Sequence, residues 1–292
     1  MESSKILVFG SSGQLGSALK AASIGTERNI VFLESKDCDV TNKSMVKNMI
    51  NQHSPDTIIN FAAYTNVDQA EIETEKCFLI NSNFPKVLTE YCKSDVLIIH
   101  LSTDFVFDGC SDIPYKESSQ TNPLSIYGKS KLEGENIIRE FHENHIIIRT
   151  SWLFSEYRNN FLKTMMRKAV DSESLKIVND QIGCPTYAYD LALAINKLIN
   201  FNRESTNNNI FHISSSGQCS WLEFAEEIFS QAVTQGILRM PPKVAGVSSD
   251  EFSSLAKRPR YSVLDCSKLT ELTNFQMRDW KEGLQQALKK IE

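Results

Sequence analysis

The chain has 292 residues, a length that allows two small domains or one large α/β unit. Hydrophobic residues make up 41% and charged residues 23%, an ordinary globular mixture that argues against intrinsic disorder. The formal net charge of −5 disfavours sequence-independent binding to nucleic acid, because such binding needs a basic surface. An anionic small molecule would therefore have to be held by a few local cations or helix N-termini.

The 7 cysteines are widely spaced, and no CxxC pair occurs among them. An odd count without that spacing indicates neither a disulfide framework nor a zinc site, and it favours free thiols in a reducing compartment. The N-terminal residues do not read as a signal peptide, and no run approaches the roughly 18 apolar residues of a membrane span. We therefore expect a cytoplasmic protein without membrane contacts.

In the first half, short apolar runs alternate with longer amphipathic segments. The runs are rich in β-branched residues and apolar on both faces, which is typical of strands in a covered parallel sheet. We predict strands over residues 6–9, 30–33, 57–61, 96–102 and 146–149. Between them we predict helices over residues 14–22, 43–53, 71–80, 85–94 and 125–143. This alternation predicts right-handed crossovers and a doubly wound parallel sheet.

The pattern loosens in the second half. We predict helices over residues 161–170, 189–201, 221–232 and 278–291, a strand over 211–214 that returns to the sheet, a polar loop over 200–209 and an irregular segment over 241–262. The chain is therefore divided into a nucleotide-binding domain at 1–150, with 176–215 partly returning to its sheet, and a smaller, mainly helical C-terminal substrate lobe at 151–292.

A glycine-rich loop follows the first predicted strand and leads into the first helix. Its glycines, Gly10, Gly13 and Gly16, have GxxGxxG spacing, one residue longer in the first interval than the usual dinucleotide fingerprint. Glycine allows a tight turn and close approach to a pyrophosphate, and the helix N-terminus offers free N–H groups to phosphates. We expect a Rossmann-type sheet that binds NADH or NADPH here, through these glycines together with Ser12, Gln14 and Leu15.

Acidic and basic residues follow the second predicted strand, where the adenosine ribose would bind. Glu34 could accept a hydrogen bond from a ribose 2′-hydroxyl, whereas Lys36 could pair with a 2′-phosphate, so the choice between NADH and NADPH stays open. Asp39 and Val40 follow in a position suited to the adenine. Asp39 is also a candidate N-cap for the next helix.

Tyr127 and Lys131 lie four residues apart near the start of a predicted helix, so both side chains can face one cleft. A nearby ammonium group favours the phenolate, and we expect it to lower the tyrosine pKa toward neutrality. Such a tyrosine can pass a proton to the oxygen of a carbonyl that receives hydride. Thr103, at the end of the fourth strand, is placed to bind the same oxygen or to cap a local turn. We interpret Thr103, Tyr127 and Lys131 as the catalytic residues.

Together these motifs resemble the extended short-chain dehydrogenase/reductases, through residues 10–16, 102–109 and 127–131. More narrowly, the segments at 60–68, 149–154, 180–186 and 256–265 resemble the dTDP-4-dehydrorhamnose reductases. The resemblance covers nearly the whole chain. It implies hydride transfer from NADH or NADPH to C4 of dTDP-4-dehydro-L-rhamnose, a small sugar nucleotide, with Tyr127 as the proton donor.

The resemblance also implies roles for further residues. Lys131 would orient Tyr127 and the cofactor, and three residues would line the cofactor, namely Ala62, Ala63 and Tyr64. The sugar nucleotide would be contacted by Val67, Thr103, Asp104 and Trp152, with Arg258 and Arg260 as cations for its pyrophosphate.

Some members of the family dimerise through a magnesium site, but Ala18 stands where one of its acidic ligands would be. The five histidines also lack metal-ligand spacing. We therefore predict no required metal, with the chain acting as a monomer or a homodimer.

Three other functions are compatible with the same motifs. Dehydratases and epimerases share the scaffold, but dehydratases carry Thr-Asp-Glu where this chain has Phe105 in place of the glutamate, which favours simple reduction. A related deoxysugar 4-ketoreductase is an alternative, because no motif reads the sugar stereochemistry. The regulatory β subunit of methionine adenosyltransferase also resembles this family, and it works as a binding protein. We expect a free-standing enzyme because no extra segment precedes the first strand.

Overall fold

A computed structural model of the chain describes residues 4–171, 174–199 and 209–291. Its strands are β1 Lys5–Phe9, β2 Asn29–Leu33, β3 Thr57–Asn60, β4 Leu97–Thr103, β5 His145–Thr150, β6 Leu153–Phe154, β7 Ser174–Val178, β8 Ile182–Gly183, β9 Thr186–Tyr187, β10 Ile210–His212, β11 Cys219–Ser220 and β12 Lys243–Val247. Its α-helices are α1 Gln14–Ala22, α2 Lys43–His53, α3 Val67–Ala70, α4 Thr74–Phe78, α5 Phe84–Tyr91, α6 Ile126–Phe141, α7 Phe161–Asp171, α8 Ala188–Ile199, α9 Trp221–Thr234, α10 Ser267–Thr273 and α11 Trp280–Leu288.

Six parallel strands form the central sheet in the order β10-β5-β4-β3-β1-β2. Side chains alternate between its two faces, so Ile6 and Val8 of β1 pack in one apolar cluster with α1 and α8, while Leu7 and Phe9 pack in another with α2 and α5. Burial on both faces explains why the strand sequences are continuously apolar. The predicted α/β class with a parallel sheet covered by helices is confirmed.

A third apolar cluster lies away from the sheet, among β6, α7, β7, α9 and α11. Its buried members include Phe154, Leu162, Phe224, Phe229 and Trp280. This cluster is distinct from the two that flank the sheet. The division of the chain into two units, with its residue boundaries, stays a prediction.

Two element predictions were wrong in detail. The helix predicted over 71–80 is α4, which continues through a π-helical turn at Leu79–Asn83 into α5. The segment 241–262, predicted as irregular, contains β12, which pairs in parallel with β7. Neither strand was predicted, because β12 is mostly accessible and its partner lies far away in the chain. The predicted polar loop at 200–209 lies, except for Asn209, outside the described residues, as does the predicted extension of α8 to residue 201.

The order of the strands places the functional loops. The sheet runs outward in opposite directions from β1 and β3, and loops that follow the carboxyl ends of these strands border a crevice at such a switch point. The glycine-rich loop follows β1, residues 61–66 follow β3, and Asp104 follows β4. Among the described helices, none is long and apolar enough to cross a lipid bilayer.

Candidate active site

The glycine-rich loop turns sharply as it leaves β1. Gly10 has a positive φ of 75°, a region that favours glycine, and a Cβ atom there would lie 2.5 Å from the backbone nitrogen of Ala62. A Cβ on Gly16 would collide with the backbone of Ser11. The missing side chains let the β3 loop approach the turn and let α1 start close beneath it, which leaves the α1 N-terminus facing open space.

That space is a cavity of about 820 Å³ at the crevice of the sheet. Most of the residues predicted to bind the cofactor share this cavity: Gly10, Ser12, Gly13, Gln14, Leu15, Gly16, Glu34, Asp39, Val40, Ala62, Ala63, Tyr127 and Lys131. Tyr64 is outside this lining, because its hydroxyl group donates to Glu73 at 3.1 Å and its backbone N–H donates to Asn81 at 2.8 Å. The glycine-rich loop and the Tyr127–Lys131 pair therefore border one continuous space.

Glu34 lies between two lysines at the end of β2. Its carboxylate oxygens are 3.2 Å from Lys20 Nζ and 3.3 Å from Lys36 Nζ. The hydrogen bond from Lys20, followed by that from Lys36, lowers the pKa of the Glu34 carboxyl group. Asp39 accepts hydrogen bonds from the backbone and side chain of Thr41, at 2.9 and 2.8 Å. Glu34 lines the ribose end of the cavity, and the two lysines pair with it from outside the lining, so the choice between NADH and NADPH stays open.

Tyr127 lies in the first turn of α6, whose N-cap Ser125 accepts a hydrogen bond from Gly128 N–H at 3.1 Å. Burial raises the pKa of the Tyr127 phenol above its usual value, and a hydrogen bond with Thr103 opposes the rise. The expected lowering by Lys131 is therefore wrong in direction for this structure. Tyr127 is a neutral phenol at physiological pH, which is the form that can donate a proton.

Lys131 is buried one turn further along α6. Its Nζ donates to the carbonyl oxygen of Leu101 at 2.6 Å and lies 3.4 Å from Nε2 of His100. Burial lowers the pKa of the Lys131 amine to about 8, while the charge of Glu135 raises it. These contacts explain why Lys131 does not lower the pKa of Tyr127, because the Lys131 head group is directed at the β4 backbone. Burial also lowers the pKa of His100, which is therefore neutral.

Thr103 and Asp104 follow at the carboxyl end of β4, and both are buried. The Thr103 hydroxyl donates to Asp104 Oδ1 at 3.1 Å and accepts from Phe105 N–H at 3.2 Å, so it also caps the short 3-10 turn at Asp104–Val106. Burial raises the pKa of the Asp104 carboxyl group to about 7. The Phe105 ring packs edge-on against Tyr127, with ring centroids 5.7 Å apart. An aromatic ring thus stands where a dehydratase would carry its glutamate.

The other four residues predicted to bind substrate lie in three separate parts of the structure. Val67 is half-buried at the start of α3, while Trp152 stacks on Trp221 with ring centroids 3.5 Å apart. Arg258 forms an ion pair with Asp68 at 2.6 Å, which sequence reasoning did not anticipate, and Arg260 is exposed. The two arginines are therefore not equivalent, because the charge of Arg258 is already balanced.

A second cavity of about 270 Å³ lies in the lobe, between α7, β7 and the segment that follows β12. Its walls include Phe161, Trp221 and Phe252, with the cations Lys168, Lys176 and Arg258. Flat aromatic surfaces next to cations suit a nucleotide. Trp221 was not predicted as a site residue, although its position directly after the N-cap of an amphipathic helix in the lobe is readable from the sequence.

Further residues near the main cavity were missed. Arg158 and Asn159 line the cavity from the segment after β6, and Ser102 lines it next to Thr103. No described group of three or more His, Cys, Asp or Glu residues has the arrangement of a metal site. The segment that contributes Arg158 carries no motif, so its approach to the glycine-rich loop is visible only after folding.

Comparison with known proteins gives consistent matches over the whole length. A family model described as the RmlD substrate binding domain matches residues 4–292. The dTDP-4-dehydrorhamnose reductase of Aggregatibacter actinomycetemcomitans is 39% identical, over 96% of this chain and 97% of that protein. The dTDP-4-keto-6-deoxy-D-glucose reductase of Streptomyces niveus is 33% identical, over 96% of this chain and 95% of that protein. A crystal structure of dTDP-4-dehydrorhamnose reductase from Bacillus anthracis in complex with NADP has a TM-score of 0.90 and 38% identity, covering 98% of this chain and 99% of that one.

Proposed function

Because the chain belongs to the RmlD substrate binding domain family, we propose that it reduces the C4 keto group of dTDP-4-dehydro-L-rhamnose to dTDP-L-rhamnose with NADPH or NADH. The observation that carries the proposal is the single 820 Å³ cavity that joins the glycine-rich loop to Tyr127 and Lys131. A dinucleotide bound along this cavity would bring its nicotinamide end to the phenol. Relatives named for the same reaction, and one solved with NADP, support the assignment.

The residues of the cavity fit a dinucleotide. The glycine at position 10 leaves free the volume that a Cβ would fill against the β3 loop, and the N-terminus of α1 faces the space beside it. Gly13 and Gly16 would let the pyrophosphate approach the backbone, and Glu34 with its two lysines would face the adenosine ribose. A reduced nicotinamide, when bound, supplies the hydride.

Tyr127 supplies the proton in this proposal. Burial keeps its phenol neutral, so its Oη can donate to the carbonyl oxygen as negative charge develops there. Thr103 can donate to the same oxygen when its single hydroxyl proton turns from Asp104 Oδ1 toward the substrate. Lys131, held near β4 by its hydrogen bond to Leu101, would position the cofactor beside Tyr127.

We assign the nucleotide of the substrate to the second cavity. Phe161, Trp221 and Phe252 offer aromatic faces for a base, and Lys168 and Lys176 offer charge for the phosphates. Trp152, stacked on Trp221, would then lie next to this cavity, where it could contact the sugar. Arg260 remains the candidate phosphate cation among the two predicted arginines, because Arg258 is paired with Asp68.

The direct test uses purified full-length protein, NADPH or NADH, and enzymatically generated dTDP-4-dehydro-L-rhamnose. Loss of nicotinamide absorbance together with formation of dTDP-L-rhamnose is the expected result. Absence of turnover with any 4-keto sugar nucleotide, under conditions in which a known reductase works, would contradict the proposal. Running both cofactors in parallel also decides between NADH and NADPH.

A second candidate is reduction of a different 4-keto deoxysugar nucleotide. It is favoured by the Streptomyces niveus relative, whose name specifies dTDP-4-keto-6-deoxy-D-glucose. The two functions share cofactor, acid and nucleotide site, and they differ in the sugar stereochemistry around Trp152. Comparing kcat/KM for the two keto sugars separates them, and the larger value identifies the substrate.

We also place the reaction in the cytoplasm. All seven cysteines are free thiols in the structure, and Cys38, Cys77, Cys184 and Cys219 are buried. Unpaired thiols suit a reducing compartment. Growth of cells that produce the protein, followed by fractionation, would test this placement, because activity in the periplasmic or secreted fraction would contradict it.

A further inference from the structure

Arg158 contacts the glycine-rich loop from a distant part of the chain, and both line the main cavity. It belongs to the segment between β6 and α7, and its Nε donates to the carbonyl oxygen of Ser12 at 2.6 Å. Ser12 lies between Gly10 and Gly13, in the part of the loop that faces the N-terminus of α1. The guanidinium group is therefore placed next to the backbone that a pyrophosphate would approach.

The segment that carries Arg158 is docked onto the first residue of α1. Ser155 Oγ and Asn160 Nδ2 each donate to Oε1 of Gln14 at 2.9 Å. Arg158 lies between these two anchors with a positive φ of 56°, an uncommon conformation for a residue with a side chain. Backbone outliers of this kind persist where surrounding contacts hold them, and they cluster at ligand sites. The anchors thus hold Arg158 above the loop before any ligand is present.

The charges of the residues that line the cavity make Arg158 a candidate cation for a phosphate group. Among the described residues that line it, the positive charges are those of Lys131 and Arg158. Lys131 is buried beside Tyr127 and donates to Leu101, at the nicotinamide end. Beyond its Nε contact, the described residues provide no hydrogen-bond partner for the two Nη groups of Arg158. A guanidinium group with free Nη donors matches the paired oxygens of a phosphate.

We propose that Arg158 binds the cofactor pyrophosphate and closes this site from the lobe side. The proposal rests on the proposed function in one respect, namely that the cavity takes NADPH or NADH. It adds a positive charge to a site that the glycine-rich loop alone would build from backbone N–H groups. It also makes the segment between β6 and α7 part of the cofactor site.

The test is a direct binding titration of the full-length protein, followed by nicotinamide fluorescence and independent of turnover. For Arg158→Gln we expect Kd to rise about ten- to a hundredfold, as for loss of a charged hydrogen bond. The rise should be the same for NADPH and NADH, because both carry the pyrophosphate. The matched control is Arg167→Gln, an exposed arginine on α7 that does not line the cavity, for which Kd should stay unchanged.

Salt dependence separates a charge contact from a purely structural role. If Arg158 contacts the pyrophosphate, the ratio of variant to wild-type Kd should shrink as NaCl is raised, because salt screens the lost interaction. A ratio that does not change with salt would overturn the proposal, since it would mean that Arg158 only shapes the loop at Ser12. The melting temperature of the ligand-free variant, measured alongside, should match that of the wild type.

The remaining outcomes are also decisive. An unchanged Kd for both cofactors would overturn the role of Arg158 while leaving the proposed function intact. A loss confined to NADPH would place Arg158 at the 2′-phosphate and overturn the pyrophosphate contact. Failure of the wild-type protein to bind either dinucleotide would overturn this proposal and the proposed function together.

Discussion

Glu135 and Arg149 form a forked ion pair that is closed off from solvent beneath the active site. Arg149 Nη2 lies 2.7 Å from Glu135 Oε2, and Arg149 Nε lies 3.0 Å from Oε1. The side chains of Glu135 and Arg149 are 0% and 2% exposed. Ser102 Oγ also donates to the Glu135 carboxylate. The pair therefore ties α6, which carries Tyr127, to the strands β4 and β5.

Removing the negative charge of this pair should destabilise the fold. Glu135→Gln leaves the Arg149 guanidinium buried without a counter-charge, and we expect a loss of about 3–5 kcal/mol in the free energy of unfolding. Urea denaturation measures it. Glu140→Gln, on the exposed side of the same helix, is the matched control and should change stability by less than about 0.5 kcal/mol.

The double variant tests whether the loss comes from the unpaired charge. Glu135→Gln combined with Arg149→Gln removes both charges, so it should be more stable than Glu135→Gln alone. A double variant that loses the sum of the two single effects would show that the two residues act independently, against the ion-pair explanation.

Gly10→Ala should damage both folding and cofactor binding. The added Cβ would meet the Ala62 backbone nitrogen at 2.5 Å, so the β3 loop must move. Gly25 has a similar positive φ, 79° against 75° for Gly10, but a Cβ there meets nothing within 4 Å. Gly25→Ala therefore measures the cost of the backbone conformation alone, which is about 1–2 kcal/mol.

The difference between these two alanine variants isolates the steric contact. We expect Gly10→Ala to have the lower melting temperature and a NADPH Kd raised by at least about tenfold, whereas Gly25→Ala should bind NADPH like the wild type. Equal melting temperatures and equal Kd values for the two variants would mean that the loop tolerates a side chain at position 10. The close approach of Gly10 to Ala62 would then not be needed for cofactor binding.

The central sheet and the glycine-rich loop could be predicted because their signals are local. A strand that is buried on both faces needs a continuous apolar run, and the positive φ of Gly10 is a requirement of the local turn that glycine satisfies. The pairing of β12 with β7 had no such signal, because the stability of two short strands comes from each other and from the packing around them.

The electrostatics of the site could be predicted only in part. The spacing of Tyr127 and Lys131 indicates that both face one cleft, and both line the cavity. The direction of the Tyr127 pKa shift depends on burial and on where the Lys131 ammonium group points, and neither is a property of spacing. In the same way, the pairing of Arg258 with Asp68 joins residues far apart in the chain.

Tyr127→Phe should lower turnover by about 10²- to 10⁴-fold, the range for loss of a general acid. Phenylalanine keeps the ring that packs against Phe105 but has no proton to donate. The NADPH Kd and the melting temperature should therefore stay close to those of the wild type. Tyr91→Phe, in α5 outside the cavity lining, is the matched control. Near-normal turnover of Tyr127→Phe would assign proton donation to another group.

Asp104 should make the stability of the ligand-free protein depend on pH. Burial raises the pKa of its carboxyl group from 3.8 to about 7, so between these values the folded chain holds a proton that the unfolded chain releases. Stability from this group is therefore full at low pH and falls as pH rises through the window of about 4 to 7. Asp104→Asn cannot ionise and lacks this fall.

The melting temperature of Asp104→Asn should accordingly rise relative to that of the wild type as pH is increased across the same window. The substitution also changes the hydrogen bond with Thr103, and this cost is the same at every pH. The ionisation of the carboxyl group is therefore measured by how the melting-temperature difference between variant and wild type changes with pH. For Asp112→Asn, a substitution at an exposed site, the melting-temperature difference from the wild type should be constant with pH. A constant difference for Asp104→Asn as well would mean that Asp104 is ionised in the folded protein, and its buried charge would then have to be balanced by partners near Thr103.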